Sequence, residues 1–114
     1  MIVFCKLPFI YTTTVFVDFE SVISAVECAV ACQENFLEYN KGKNEDEVIT
    51  IRAGVHLGDI IEKDNDVFGD GVNIASRIQS MAEPGGINIS ESVYQQVHNK
   101  LDLPYLSQIG RAHV

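Results

Sequence analysis

The order of patterned segments predicts an α+β domain, with helices packed on one face of a mainly antiparallel sheet. Three observations carry that prediction. Apolar residues recur every three or four positions over 21–41, alternate at period two over 49–57, and return to helical spacing over 70–83. A chain of 114 residues, 46% hydrophobic and 21% charged, has the composition of one globular domain with a modest core.

The elements follow in order. Residues 1–17 are apolar apart from Lys6 and are interrupted by Pro8. They lack the basic start and cleavage site of a signal peptide and the unbroken run that spans a bilayer, so they read as strand-forming sequence. Val15–Phe19 is β-branched and aromatic, a short strand. Val22, Ala25, Val26, Ala29, Val30, Phe36 and Leu37 then form one helical stripe, with Ser21 to cap its start and Gly42 after its end. A charged loop over 41–47 leads to a half-buried strand, where Ile49, Ile51, Ala53, Val55 and Leu57 alternate with Thr50, Arg52, Gly54, His56 and Gly58. Residues 59–63 are expected to return as a second strand through a bend at Gly58-Asp59, with Asp64-Asn65 as a turn.

In the second helix Val72, Ile74, Ala75, Ile78, Met81 and Ala82 occupy one half of the wheel. Asn73 and Arg77, four apart, fall within about 40° of each other on the other half. Glu83-Pro84-Gly85-Gly86 stops this helix, Ile87 and Ile89 mark a strand, and Ser90 caps a last helix over 91–100.

Composition narrows the function. Sixteen acidic residues against eight basic ones argue against nucleic acid as a partner. One polyanionic small molecule remains possible if metal ions or a few placed cations carry the load. Three cysteines show no zinc spacing and no disulfide framework, and Cys28 and Cys32, one turn apart, read as small apolar packing. His56, His98 and His113 have no ligand spacing, and His56 lies on the face opposite the strand's apolar set.

The stretch DVFGDGVNIASR, 66–77, concentrates the chemistry. Gly69 and Gly71 would permit positive φ and close approach of a ligand where a helix begins. Arg77 offers a planar donor fork suited to phosphate, Asn73 both donates and accepts, and Asp66 accepts from an amino or hydroxyl group. A nucleotide or sugar-phosphate site fits these groups. An ordinary Gly-Asp-Gly turn followed by a solvent-facing helix surface fits them too, and the residues alone leave both open.

Residues 51–97, IRAGVHLGDIIEKDNDVFGDGVNIASRIQSMAEPGGINISESVYQQV, closely resemble the catalytic domain of class III adenylate and guanylate cyclases. The helix containing SAVECAVACQ resembles an earlier helix of that domain, and the likeness runs over about 15–106. The resemblance implies a ferredoxin-like sheet, a site between two protomers, and a lyase of intracellular signalling that converts nucleoside triphosphate to 3′,5′-cyclic monophosphate and pyrophosphate. Asp66 then matches the residue reading the adenine amino group, which favours ATP and cyclic AMP over the guanine pair. Asn73 matches the residue orienting the ribose, and Arg77 the one stabilising charge on the α-phosphate. Phe68 and Gly69 join the substrate-binding set. A second cyclase protomer, homo- or heterodimeric, and a cytoplasmic catalytic domain are the matching expectations, with no membrane segment in this chain.

The resemblance also implies Mg2+ or Mn2+ held by two aspartates. Thr13 stands where one is expected, and the early strand bearing the other is expected to be absent. Residues 1–14 are thus read as a divergent segment, 15–108 as a partial cyclase domain lacking its metal-binding part, and 109–114, IGRAHV, as a non-native scar resembling translated sequencing adapter. Asp18 matches an acidic position that does not bind metal. Alone, such a fragment is expected to be inactive, and a catalytically inactive cyclase-homology module acting as dimerisation or regulatory partner is the alternative.

Overall fold

A computed structural model of the chain describes residues 2–6, 14–57, 61–63, 66–68, 70–101 and 109–112. Seven strands and three helices occur among them: β1 Ile2–Lys6, β2 Thr14–Asp18, α1 Val22–Asn40, β3 Arg52–His56, β4 Ile61–Lys63, β5 Asp66–Phe68, α2 Asp70–Ser80, β6 Ile87–Ser90, α3 Glu91–Val97 and β7 Ile109–Ala112. A five-stranded sheet has the order β2-β1-β3-β6-β7, and β4 and β5 form a separate hairpin. The α+β class holds. The sheet is mixed rather than mainly antiparallel: β1 runs antiparallel to β2 and β3, while β3, β6 and β7 are parallel.

The two sheet faces differ in chemistry. In register, Val17, Val3, Val55 and Ile89 form one row, and Val15, Cys5, Ala53, Ile87 and Ile109 the next. On this face Ala53, Val55, Ile87 and Ile89 are buried with Ala25, Val26, Ala29 and Val30 of α1 and Val93 and Val97 of α3. This is the core, and the 3.6-residue stripe of α1 is what fills it.

The opposite face carries Phe16, Phe4, Gly54, Asn88 and Gly110 in one row. A Cβ on Gly54 would lie 2.6 Å from the Gln79 nitrogen and 2.9 Å from the Ala75 oxygen, so α2 rests its backbone directly on β3 here. The helices therefore divide between both faces, which corrects the expectation of one helical face. Period-two alternation assigned Gly54 to solvent because glycine carries no hydropathy signal, whereas its missing side chain is what admits the helix.

Three other expectations change. A strand does occupy the early position: β1 lies inside the sheet, between β2 and β3. Residues 61–63 pair with Asp66–Phe68 instead of returning along the 49–57 strand. Ile109–Ala112, expected to lie outside the fold, adds the edge strand β7 beside β6.

Caps and polar ties complete the frame. Ser21 Oγ accepts from the Ser24 N–H and Ser90 Oγ from the Val93 N–H, each at 3.4 Å, and Gly42 takes φ 76° beyond α1. Gln33 Nε2 donates to the carbonyls of Ile51 at 3.1 Å and Gly86 at 2.9 Å. Those same carbonyls accept from the N–H groups of Gly85 and Ala53. Asn40 bonds both the N–H and the C=O of Ile49. Among the described residues no helix is long and apolar enough to cross a membrane.

Candidate functional site

Helix α2 separates two chemistries around its axis. Ala75, Ile78 and Gln79 are buried toward the sheet, while Asn73 and Arg77 are exposed on the outer side. The i, i+4 spacing aligns the pair along one stripe, one turn apart. Arg77 makes no ion pair among the described residues, so its five donors are available to an external anion. Ser76 and Ser80 do not compete for that ligand, because their hydroxyls donate to the carbonyls of Val72 and Arg77 in the helix itself. Met81, expected among the buried set, is 52% exposed because the helix has already ended at Ser80.

Asp66 and Phe68 are the first and last residues of β5, opposite Lys63 and Ile61. Two positions apart on a strand, they belong to one face of the hairpin, and a single residue separates β5 from the start of α2. Asp66, the position expected to read the base, and the Asn73–Arg77 pair thus stand on the successive elements β5 and α2. Gly69 lies outside the described residues. Gly71 is buried and does not take positive φ, because it lies within α2.

The implied metal site was tested against the donors present. No group of three or more His, Cys, Asp or Glu among the described residues could hold a metal ion. Across β1, β2 and β3, Asp18 is the one carboxylate, at the sheet edge opposite Ile2 and away from the row of Thr14, Lys6 and Arg52. Thr13 lies outside the described residues. Ammonium and guanidinium groups do not ligate cations, and a lone hydroxyl is a weak replacement for two carboxylates, so the described donors do not fit Mg2+ or Mn2+.

Several polar groups between α2 and the sheet were not foreseen as a set. Gln79 is 1% exposed, with Nε2 lacking a hydrogen-bond partner among the described residues, and Arg52 Nε and His56 Nδ1 are buried in the same condition. The sequence signal was present at Gln79, a polar residue one position after Ile78 and four after Ala75. Burial holds the His56 imidazole below its ordinary pKa. Elsewhere, burial and then the neighbouring Cys28 push the Cys32 thiol up, which suits packing rather than reactivity. A cleft of about 480 Å³ lined by Gln33, Phe36, Leu37, Ile49, Pro84 and Ile87 contains no residue of α2.

Comparison with known proteins agrees with this arrangement. The adenylate and guanylate cyclase catalytic domain matches residues 2–110. A protein assigned as adenylate cyclase 3 in Rhizobium meliloti is 46% identical over 92 residues, covering 81% of this chain and 16% of its own length. A pH-sensitive adenylate cyclase of Mycobacterium tuberculosis is 42% identical over 43 residues, 38% of this chain and 11% of that protein. The crystal structure of an adenylate/guanylate cyclase/hydrolase from Silicibacter pomeroyi superposes with a TM-score of 0.70 at 28% identity, covering 86% of this chain and 58% of that one. The chain therefore spans about a sixth of the first relative and somewhat over half of the solved structure. With its strand-to-helix unit and its sheet both matched, the chain belongs to the adenylate and guanylate cyclase catalytic domain family.

Proposed function

We propose that this chain supplies the nucleotide-recognising half of a cyclase site that forms 3′,5′-cyclic AMP and pyrophosphate from ATP. The observation that carries the reading is the exposed Asn73–Arg77 stripe on α2, led in by Asp66. Asp66 accepts from the purine amino group, which selects adenine over guanine. Asn73 holds the ribose so that its 3′-hydroxyl oxygen faces the α-phosphorus. Arg77 binds the α-phosphate oxygens more strongly as negative charge grows on them and the pyrophosphate leaves. Phe68 and Gly69 shape the wall beside the base. Because Arg77 points outward, the reacting phosphate lies at an interface, and a second cyclase protomer completes the site. The divalent cations of the family would be held by that protomer, since the donors among the described residues of this chain do not fit them. The cytosol, where nucleoside triphosphates are abundant, is the matching location.

A mixing experiment tests the reading. The chain is combined with a cyclase whose corresponding arginine has been replaced and whose metal aspartates are intact. Cyclic AMP, read by mass spectrometry, should appear with the wild-type chain and fall by about a hundredfold with Arg77→Ala. The chain alone with Mg-ATP or Mn-ATP should make none, and substantial product from it alone would sink the proposal.

A second reading, an inactive cyclase-homology module that only regulates its partner, is favoured by the cationic row at β1 and β3. Sequencing the native locus in adapter-free genomic DNA separates the two. A preceding Asp-bearing strand and a Gly-Asp pair before Val15 support the enzyme, and Thr12-Thr13-Thr14 in an intact gene supports the module.

A further inference from the structure

We propose that the cleft beside the C-terminal half of α1 is a binding site for a small organic amine with an apolar body. The cleft holds about 480 Å³, a size that suits a drug-sized molecule. Its described walls come from three segments: α1, residues 49–50 ahead of β3, and residues 84–87 leading into β6. A concave site assembled in this way suits a small molecule better than a flat protein face does. Phe36, Leu37, Ile49, Pro84 and Ile87 give it an apolar lining.

The walls are fixed before any ligand arrives. Asn40 is tied to both backbone groups of Ile49 at 2.7 and 2.8 Å, and Gln33 to the carbonyls of Ile51 and Gly86. Both amides are thereby committed, and a pre-formed pocket costs its ligand little ordering.

Charge selects the ligand class. Glu34 is the one charged residue in the described lining, and it makes no ion pair among the described residues. The nearest cations along the chain are engaged elsewhere. Lys41 Nζ lies 2.8 Å from Glu38, and Lys43 Nζ lies 4.5 Å from the centre of the Tyr39 ring. The loop joining Asn40 to Ile49 adds Glu45 and Asp46, on a chain of net charge −8. Such a field repels phosphates and a second copy of the chain and draws in an ammonium group. Leu37, 68% exposed, gains cover when the apolar body seats against it. No residue of α2 lines the cleft, so the inference stands apart from the roles of Asp66, Asn73 and Arg77.

Titration of the purified chain with phenylbutylamine, phenylbutanol and phenylbutyrate provides the test, read by methyl NMR of Leu37, Ile49 and Ile87. The three probes share one apolar body and differ in charge. The amine should shift all three methyl sets and bind about fivefold more tightly than the alcohol, with the acid weakest. Glu34→Gln should bring the amine down to the affinity of the alcohol. Leu37→Ala should weaken amine and alcohol alike by about threefold or more. Glu27→Gln, the same charge loss elsewhere on α1, should change neither. Glu34 and Leu37 are both exposed, so these variants leave the core intact.

Cleft methyls unmoved by every probe overturn the proposal, as does an amine that binds no better than the alcohol. Two other occupants have their own signatures. Shifts that grow with protein concentration alone assign the cleft to a second copy. A helical leucine–lysine peptide that moves the cleft methyls where the amine does not assigns it to a partner protein. Either result also overturns the proposal.

Discussion

The two faces of the central sheet solve the same packing problem by different means. Toward α1 and α3, valine, isoleucine and alanine alternate along the strands and interlock with helical stripes of the same residues. Toward α2, the contact is a bare glycine under a helix backbone, an asparagine reaching the Ile78 carbonyl at 3.4 Å, and three buried nitrogens without partners. The first face derives its energy from apolar area removed from water, and the second from close approach. The helix that presents Asn73 and Arg77 is seated on the second face.

The comparison is broken most severely from the apolar side. Ile89→Ala leaves a void among fully buried residues and should cost about 2–5 kcal/mol, read as a lower denaturant midpoint with global loss of structure. Gly54→Ala should cost about 1–3 kcal/mol by driving a methyl group into the backbone of Gln79. Its signature should be local: amide exchange accelerates across 72–80 while α1 stays protected, and equal loss in both helices would show that the faces are not independent.

The smallest effect sharpens the contrast. His56 has a folded-state pKa below its ordinary value of 6.5, so the unfolded chain binds its proton first as pH falls. The stability due to neutral His56 is therefore complete above about pH 6.5 and is lost as pH drops from there toward the folded pKa. Thermal melts of His56→Gln should show a flatter slope than the wild type in that window.

What was legible beforehand follows the same division. α1, β3, β6 and α3 announced themselves through hydrophobic period and serine caps, because their burial is a property of their own side chains. The Asn73–Arg77 stripe was legible for the converse reason, being polar on a helix whose other half is apolar. The side on which α2 packs was not legible, since Gly54 contributes to it by lacking a side chain. β4 and β5, three residues each, are too short to display a period, and their pairing is decided by the register of the hairpin. β1 lies in sequence already read as strand-forming, whereas its pairing with β3 and the place of β7 beside β6 depend on partners distant in sequence, which composition alone does not encode. Nothing local in α1 reveals the carbonyls that Gln33 and Asn40 reach.

Gln33 has a consequence for how the molecule opens. Its amide joins the carbonyls of Ile51 and Gly86 that already serve the crossing strand connections from Gly85 and Ala53. One side chain from the middle of α1 thus clasps the place where two parallel strands first meet, strands separated in sequence by β4, β5 and α2. Neither strand can part from the other without uncovering that amide, and the helix cannot lift without removing one of the two hydrogen bonds at each carbonyl. Helix and strand junction therefore rise and fall as one cooperative block, and α2 is seated on the opposite face of that block through its contact with Gly54.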